Sequence, residues 1–355
     1  MKKKTSLADI AKALGVSKTL VSMVLNGKGT ENGINEDTQK RVWAKAKELD
    51  YKPNMMARSL RMGRSNTIGL IVADISNSFY ARMCRAVEDA ASKAGYHVLF
   101  GSSDENATKE RNLIQMLRDR QVDGLIISTT LSNDEDIQAL KDEKFPFVLI
   151  DRFVPGQADT PFVTADNYGG SISVVDHLIH LGISRIGQLT ISPSHLTSIT
   201  VRTRGYRDAL QKHGIAFDPE LVREIPYDNI REGIRKQVPA LINAPHKVEG
   251  LFVVNNNLAV ATLECIQEMG LRIPEDIRVV CFDDIDMFKF CNPPVTAVAQ
   301  NIEGMGENAV AVLLDKMEHG ADATLPDHVF LPTDLIVRQS CGSKMKASEG
   351  KKKAK

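Results

Sequence analysis

Apolar residues at helical spacing open the chain. Leu7, Ile10, Ala11 and Leu14 recur at i, i+3, i+4 and i+7, the repeat of one helix face. Ser6 followed by Asp9 is a capping-box start, and Gly15 is a stop that tolerates positive φ. Val16 can plug the turn, and Ser17 is a second cap. Val21, Val24 and Leu25 supply the buried side of a second helix, with Lys18, Thr19 and Met23 facing out. Two short helices joined by a Gly-containing turn read either as a helix-turn-helix unit, whose second helix enters a DNA groove, or as a buried αα-hairpin. Turn formers follow in GKGTENG (27–33). Asn35 caps a third helix over 36–50 with Val42, Ala46 and Leu49 on one face. So small a bundle has little stability of its own. In the stretch 51–66, Pro53 interrupts the backbone, and Met55 to Arg61 supply one or two helical turns with little to pack against.

From Thr67 the pattern changes to short β-branched runs alternating with amphipathic helices. Strands are predicted at 67–72, 97–101, 122–128, 147–151, 162–165, 185–190, 222–226, 250–254 and 279–284, with a last one near 329–336. Helices are predicted at 79–94, 107–120, 134–142, 168–181, 202–213, 229–242, 257–269 and 303–319. Such alternation means parallel sheets covered on both faces. It runs too long for one sheet, so two lobes are expected. Ligands in such folds sit beyond the carboxyl ends of the strands, which makes the polar residues there the ones to inspect. The lysine-rich end, KMKASEGKKKAK, has no apolar content to bury and is expected to be disordered.

Charge sharpens this picture. The 355 residues are neutral overall, yet residues 1–64 hold 14 Lys and Arg against 6 Asp and Glu. The tail from Gly342 adds 6 Lys against one Glu, so the body between carries a compensating net of about −13. A basic head on an acidic body is the footprint of a nucleic-acid reader with a separate second function. The five cysteines (Cys84, Cys265, Cys281, Cys291 and Cys341) are scattered and never spaced as CxxC, which fits a reducing cytoplasm. The N-terminus has lysines but no apolar signal region, and no apolar run approaches the ~20 residues of a membrane span. GxGxxG, GxxxxGK[ST] and GxSxG are absent. His177 and His180, at i and i+3, read as packing and surface. No enzyme activity, cofactor or metal is expected.

Longer motifs narrow the reading. LADIAKALGVSKTLVSMVLNG is followed by YKPNMMARSLRMGRSNTIGLIVADISNSFYA, then QVDGLII, VLIDR, RTRGYRDAL, CFDD and PPVTAVAQN, in this order. To about Gly342 the chain resembles the lac repressor family of bacterial transcriptional regulators, which includes the purine and ribose repressors. The resemblance implies an all-α helix-turn-helix headpiece over 1–52 and a hinge helix over 53–66. It implies an α/β two-lobed, periplasmic-binding-protein-like core over 67–341. The N-lobe is expected at about 67–165 plus 300–328 and the C-lobe at about 166–299 plus 329–341, with a disordered basic tail at 342–355. It also implies a homodimer on a palindromic double-stranded operator, acting as a repressor under a small-molecule effector, a carbohydrate by the family's habit. The expected location is the cytoplasm, at the nucleoid. The alternatives are a solute-binding protein without a regulatory role, which leaves the basic head without a use, and a regulator controlled by a nucleobase or a protein co-repressor.

Carried over by motif, Lys18, Thr19 and Met23 occupy the base-reading positions. Lys18 can donate to guanine and Thr19 can touch a thymine methyl. Met23 departs from relatives with Arg or His there. Ser6, Ser17, Ser22 and Asn26 are phosphate contacts, which position without specifying. Ala57 and Leu60 match the minor-groove wedge, with Arg58 and Arg61 for phosphates. The effector set is Asn77, Phe79, Tyr80, Asp151 and Arg152 in the first lobe, with Arg202, Asn255 and Asp283 in the second. Three further departures stand out. GKGTENG is longer than usual, Asn256 replaces an Asp common in relatives, and SPSHLTSITVRTR is long before Arg202.

Overall fold

The computed structural model describes residues 5–51 and 64–343. They fall into two compact units, divided between Ser65 and Asn66. Ala57, Arg58, Leu60 and Arg61, assigned to the hinge, lie outside the described residues, as does the tail after Ser343.

The first unit is three helices: α1 (Leu7–Leu14), α2 (Lys18–Leu25) and α3 (Glu36–Glu48). Each begins at a side-chain cap. Ser6 accepts from the Asp9 amide while Asp9 accepts from the Ser6 amide at 2.8 Å. Ser17 accepts from Leu20 N at 3.1 Å and Asn35 from Thr38 N at 2.8 Å. Gly15 ends α1 in the left-handed conformation, φ 65°. Ile10, Ala11, Val21, Val24, Val42 and Ala46 form the core, with Leu14, Val16 and Leu49 packed around it. The long loop after α2 is organised by Gln39, whose Nε2 donates to Ile34 O at 2.7 Å.

The second unit holds two six-stranded sheets. The N-lobe sheet contains β1 (Thr67–Val72), β2 (His97–Ser102), β3 (Gly124–Ile127), β4 (Phe147–Ile150), β5 (Phe162–Ala165) and β11 (His328–Leu331). Its order is β11-β5-β4-β3-β1-β2, parallel throughout. The C-lobe sheet contains β6 (Ile186–Ser192), β7 (Val222–Pro226), β8 (Gly250–Val253), β9 (Arg278–Phe282), β10 (Thr296–Gln300) and β12 (Thr333–Ile336). Its order is β12-β10-β9-β8-β6-β7, with only β12 antiparallel. Central strands such as GLII and GLFV are buried at every position, as strands covered on both faces must be. The N-lobe helices are α4 (Ser78–Lys93), α5 (Ala107–Asp119), α6 (Asp134–Asp142) and α11 (Ile302–His319). Those of the C-lobe are α7 (Asn167–His180), α8 (Thr197–Lys212), α9 (Ile230–Ile242) and α10 (Asn256–Glu268).

Three expectations need correction. The single strand near 329–336 is two strands in different sheets, because Pro332 cannot donate to a ladder and the chain changes lobes there. The lobe boundary therefore falls after Leu331, not at 328/329. Strand β10 is absent from the predicted set, since TAVAQ alternates small residues too weakly to stand out. Helix α8 starts at Thr197, five residues before the predicted start, so the long SPSHLTSITVRTR segment is partly helical.

Among the described residues the chain passes between lobes at Asp166, Asn301 and Pro332. The first two are helix caps: Asp166 accepts from Gly169 N at 2.8 Å and Asn301 from Gly304 N at 2.9 Å. On α11, Gly306 lies against α4 so closely that an added Cβ would sit 2.6 Å from Ala86 Cβ and 2.8 Å from its carbonyl carbon. Gly306→Ala is expected to force the two helices apart and destabilise the N-lobe by about 1–3 kcal/mol. A urea midpoint equal to that of wild type would count against this packing.

Candidate functional site

In the first unit, α2 carries Lys18 and no acidic residue. Lys18, Thr19, Ser17 and Asn26 are exposed, and Ser22 and Met23 are half-buried. Ser6 and Ser17 both act as caps. Asn26 turns back on its own helix, donating to Ser22 O at 2.6 Å. The face thus offers a cation, a threonine, a thioether and several hydroxyls on a helix whose opposite side is locked by Val21 and Val24.

Between the two lobes lies a narrow cleft of about 50 Å³. All eight residues assigned to the effector site from the resemblance line it: Asn77, Phe79, Tyr80, Asp151, Arg152, Arg202, Asn255 and Asp283. The topology explains this convergence. Parallel strands β1, β4, β8 and β9 end on the same side of their sheets, and those ends face each other across the cleft. Phe79 and Tyr80 meet edge to face, centroids 5.0 Å apart.

The two carboxylates Asp151 and Asp283 follow β4 and β9, each in left-handed backbone at φ 69° and 74°. Such strain in non-glycine residues is held only where surrounding structure over-determines it. Asp151 accepts from the Tyr80 hydroxyl at 2.9 Å. Burial pushes the Tyr80 hydroxyl well above its ordinary pKa, so it is a donor at neutral pH. Burial likewise raises Asp283, and Arg202 together with the donated hydrogen bond from Gln300 opposes the rise.

Both arginines are buried and committed. Arg152 forms a bidentate pair with Glu105, 2.8 Å at the longer contact, and donates to Thr129 O at 3.0 Å. Arg202 donates to Asn167 Oδ1 at 2.8 Å and Val254 O at 2.7 Å, lies 3.7 Å from Asp283, and covers the Phe282 ring at 3.8 Å. Gln300 Oε1 is buried without a hydrogen-bond partner, an acceptor site left open at the cleft wall.

Sequence reasoning missed Glu105, Tyr227 and Gln300, which also line the cleft. Glu105 follows β2 in a left-handed turn, φ 54°, and no local pattern marks it. Tyr227 follows β7 and its hydroxyl faces Asp74 of the other lobe. Gln300 ends β10, the strand that the sequence pattern does not announce. The strand-end rule, applied to β7, would have found Tyr227; Gln300 needed β10 to be recognised first.

The lobes touch directly. Asn256 Nδ2 donates to Asn77 Oδ1 at 2.8 Å and to Ser78 Oγ at 3.2 Å across the cleft. Phe153 N donates to Thr197 Oγ1 at 3.1 Å. An Asp at position 256 could not make the Asn256 contacts, because a carboxylate has no N–H to donate. Asn256→Asp is expected to loosen the closed cleft, seen as a larger radius of gyration in solution scattering. An unchanged radius would remove Asn256 as a lobe clasp.

A small basic-faced helical unit followed by a two-lobed, cleft-bearing α/β core defines a DNA-binding protein with a separate ligand-type domain. Residues 6–54 match the bacterial regulatory proteins of the lacI family, and residues 175–341 match a periplasmic binding protein-like domain. The chain is 31% identical to a ribose operon repressor of Halalkalibacterium halodurans over 95% of this chain and 97% of that protein. It is similar to the lac repressor dimer bound to operator and an anti-inducer, at TM-score 0.83, 25% identity, 96% of this chain and 99% of the other. It is also similar to the cellobiose complex of a transcriptional regulator, at TM-score 0.69, 27% identity, 95% and 100% coverage. The chain belongs to the lacI family and is a DNA-binding transcriptional repressor. No described helix is long and apolar enough to cross a membrane.

Proposed function

We propose that this repressor binds a palindromic operator as a homodimer in the cytoplasm and is controlled by a small carbohydrate held between its lobes. The observation that carries the reading is the convergence of eight polar and aromatic residues, from strand ends and neighbouring helices of both lobes, on one cleft. Aromatic faces cover apolar sugar faces, and paired carboxylates and guanidiniums bond hydroxyls. The names of similar proteins, a ribose operon repressor and a cellobiose complex, support a sugar. The lac repressor dimer on its operator supports the assembly.

On DNA, Lys18, Thr19 and Met23 face base edges, while Ser6, Ser17, Ser22 and Asn26 hold phosphates. From the resemblance, Ala57 and Leu60 form the minor-groove wedge with Arg58 and Arg61 on the backbone. A sugar that binds one lobe arrangement better than another shifts the population toward it, and with it the affinity for operator. Gel-shift titrations of a selected operator, with and without D-ribose or cellobiose and over a range of salt, test this. Affinity should fall steeply with salt. An operator affinity that neither sugar changes would count against the effector assignment.

A further inference from the structure

The cleft carries a charge rule that its hydroxyl chemistry alone does not require. Resting on the reading of the cleft as the effector site, the geometry points to Glu105 as a specificity residue that restricts the ligand to uncharged polyols and rejects phosphorylated or acidic sugars. Among the described lining residues, the carboxylates Asp74, Glu105, Asp151 and Asp283 face only two cations, Arg152 and Arg202. Even leaving Asp283 out of the count, the carboxylates outnumber the guanidiniums. Both guanidiniums are largely committed to protein groups. Arg202 is spent on Asn167, the Val254 carbonyl and the Phe282 ring. Arg152 has both terminal nitrogens on Glu105, and its buried Nε, 3.5 Å from Asp151, makes no hydrogen bond.

The pair is built in. The Arg152 and Glu105 side chains are only 5% and 10% exposed, so it is screened little by solvent. Glu105 is presented from a turn in which Asp104 is also left-handed, at φ 52° and 54°. A phosphate or carboxylate entering here would meet more carboxylates than guanidiniums, each guanidinium already beside a carboxylate, a juxtaposition that opposes binding. A neutral polyol can instead donate to Glu105, whose oxygens keep lone pairs beside Arg152, without breaking their pair.

The test is calorimetry on the full-length protein with matched probes: D-ribose against ribose 5-phosphate, and cellobiose against cellobionate. The neutral member of a pair that binds should do so at least about tenfold more tightly. Glu105→Gln removes the carboxylate, leaves Arg152 short of a charge partner, and should narrow that ratio by about tenfold or more. Asp104→Asn, at an exposed neighbour paired with Lys109, should leave it unchanged. Thermal melts establish that each variant is folded. If Glu105→Gln does not fold, Glu105→Asp, which keeps the charge, should keep the neutral preference. Equal or tighter binding of the anion by wild type would overturn the proposal, as would an unchanged ratio in folded Glu105→Gln. Failure of all four sugars ends the carbohydrate reading only; adenosine against adenosine monophosphate is then scored by the same ratio. Failure of that pair as well would remove both the cleft assignment and the charge rule.

Discussion

Arg202→Ala is expected to abolish the response to ligand and to lower the stability of the core by about 3–5 kcal/mol. The side chain is buried and replaces water on four sides at once. It donates to Asn167 and to Val254 O, stacks on Phe282, and lies 3.7 Å from Asp283. Truncation leaves Asp283 without its cation at a site where burial already works against its charge. It also strips the Val254 carbonyl of a donor. Loss of binding in the alanine variant could follow from loss of fold, so Arg202→Lys separates the two. Lysine keeps a cation for Asp283 but lacks the planar fork and the stack. It should fold, with a reduced melting temperature, and still fail to show a ligand-induced shift. A lysine variant that titrates D-ribose or cellobiose as wild type does would take Arg202 out of the site.

The second large effect is expected at the DNA face. Lys18→Ala combined with Thr19→Ala should weaken operator binding by about 1–3 kcal/mol for each base edge no longer read. Removing the lysine charge should also reduce the salt slope by about one if it touches phosphate as well. Both side chains are exposed and outside the α1–α3 core, so helicity and melting should be unchanged. An operator selected from random duplexes supplies the specific probe, and a scrambled duplex the control. Equal weakening on both would mean that these residues add charge but read no sequence. Thr19 then has no recognition role.

The headpiece was legible because everything that forms it is local. Ser6 and Asp9 are three residues apart and make the cap that their spacing announces. Val21 and Val24 fall on the buried side as the helical repeat requires. The cleft was legible for a related reason. A parallel strand delivers its last polar residues to a known end of its sheet, so Asn77, Asp151, Asn255 and Asp283, assigned by the family resemblance, also stand where a cleft residue is expected. Where the pattern was weak the reading failed. TAVAQ lacks a strong β-branched run, and with it went Gln300. SPSHLTSITV gave no clear helical start, and Leu196 and Ile199 of the cleft wall went unnoticed.

The sequence by itself determined the order of elements, the basic head, the division into headpiece and α/β core, and the residues presented at strand ends. Each depends on spacings of a few residues, which the backbone period converts directly into a face or an end. Only the tertiary structure decided which strands are neighbours, that β11 and β12 belong to different sheets, and who partners whom in the cleft. Glu105 meets Arg152 across 47 positions, and Asn256 meets Asn77 across 179. Such partners are set by strand order and by the three passages between lobes. A hydrophobic pattern says which side of a strand is buried, but not which strand lies beside it.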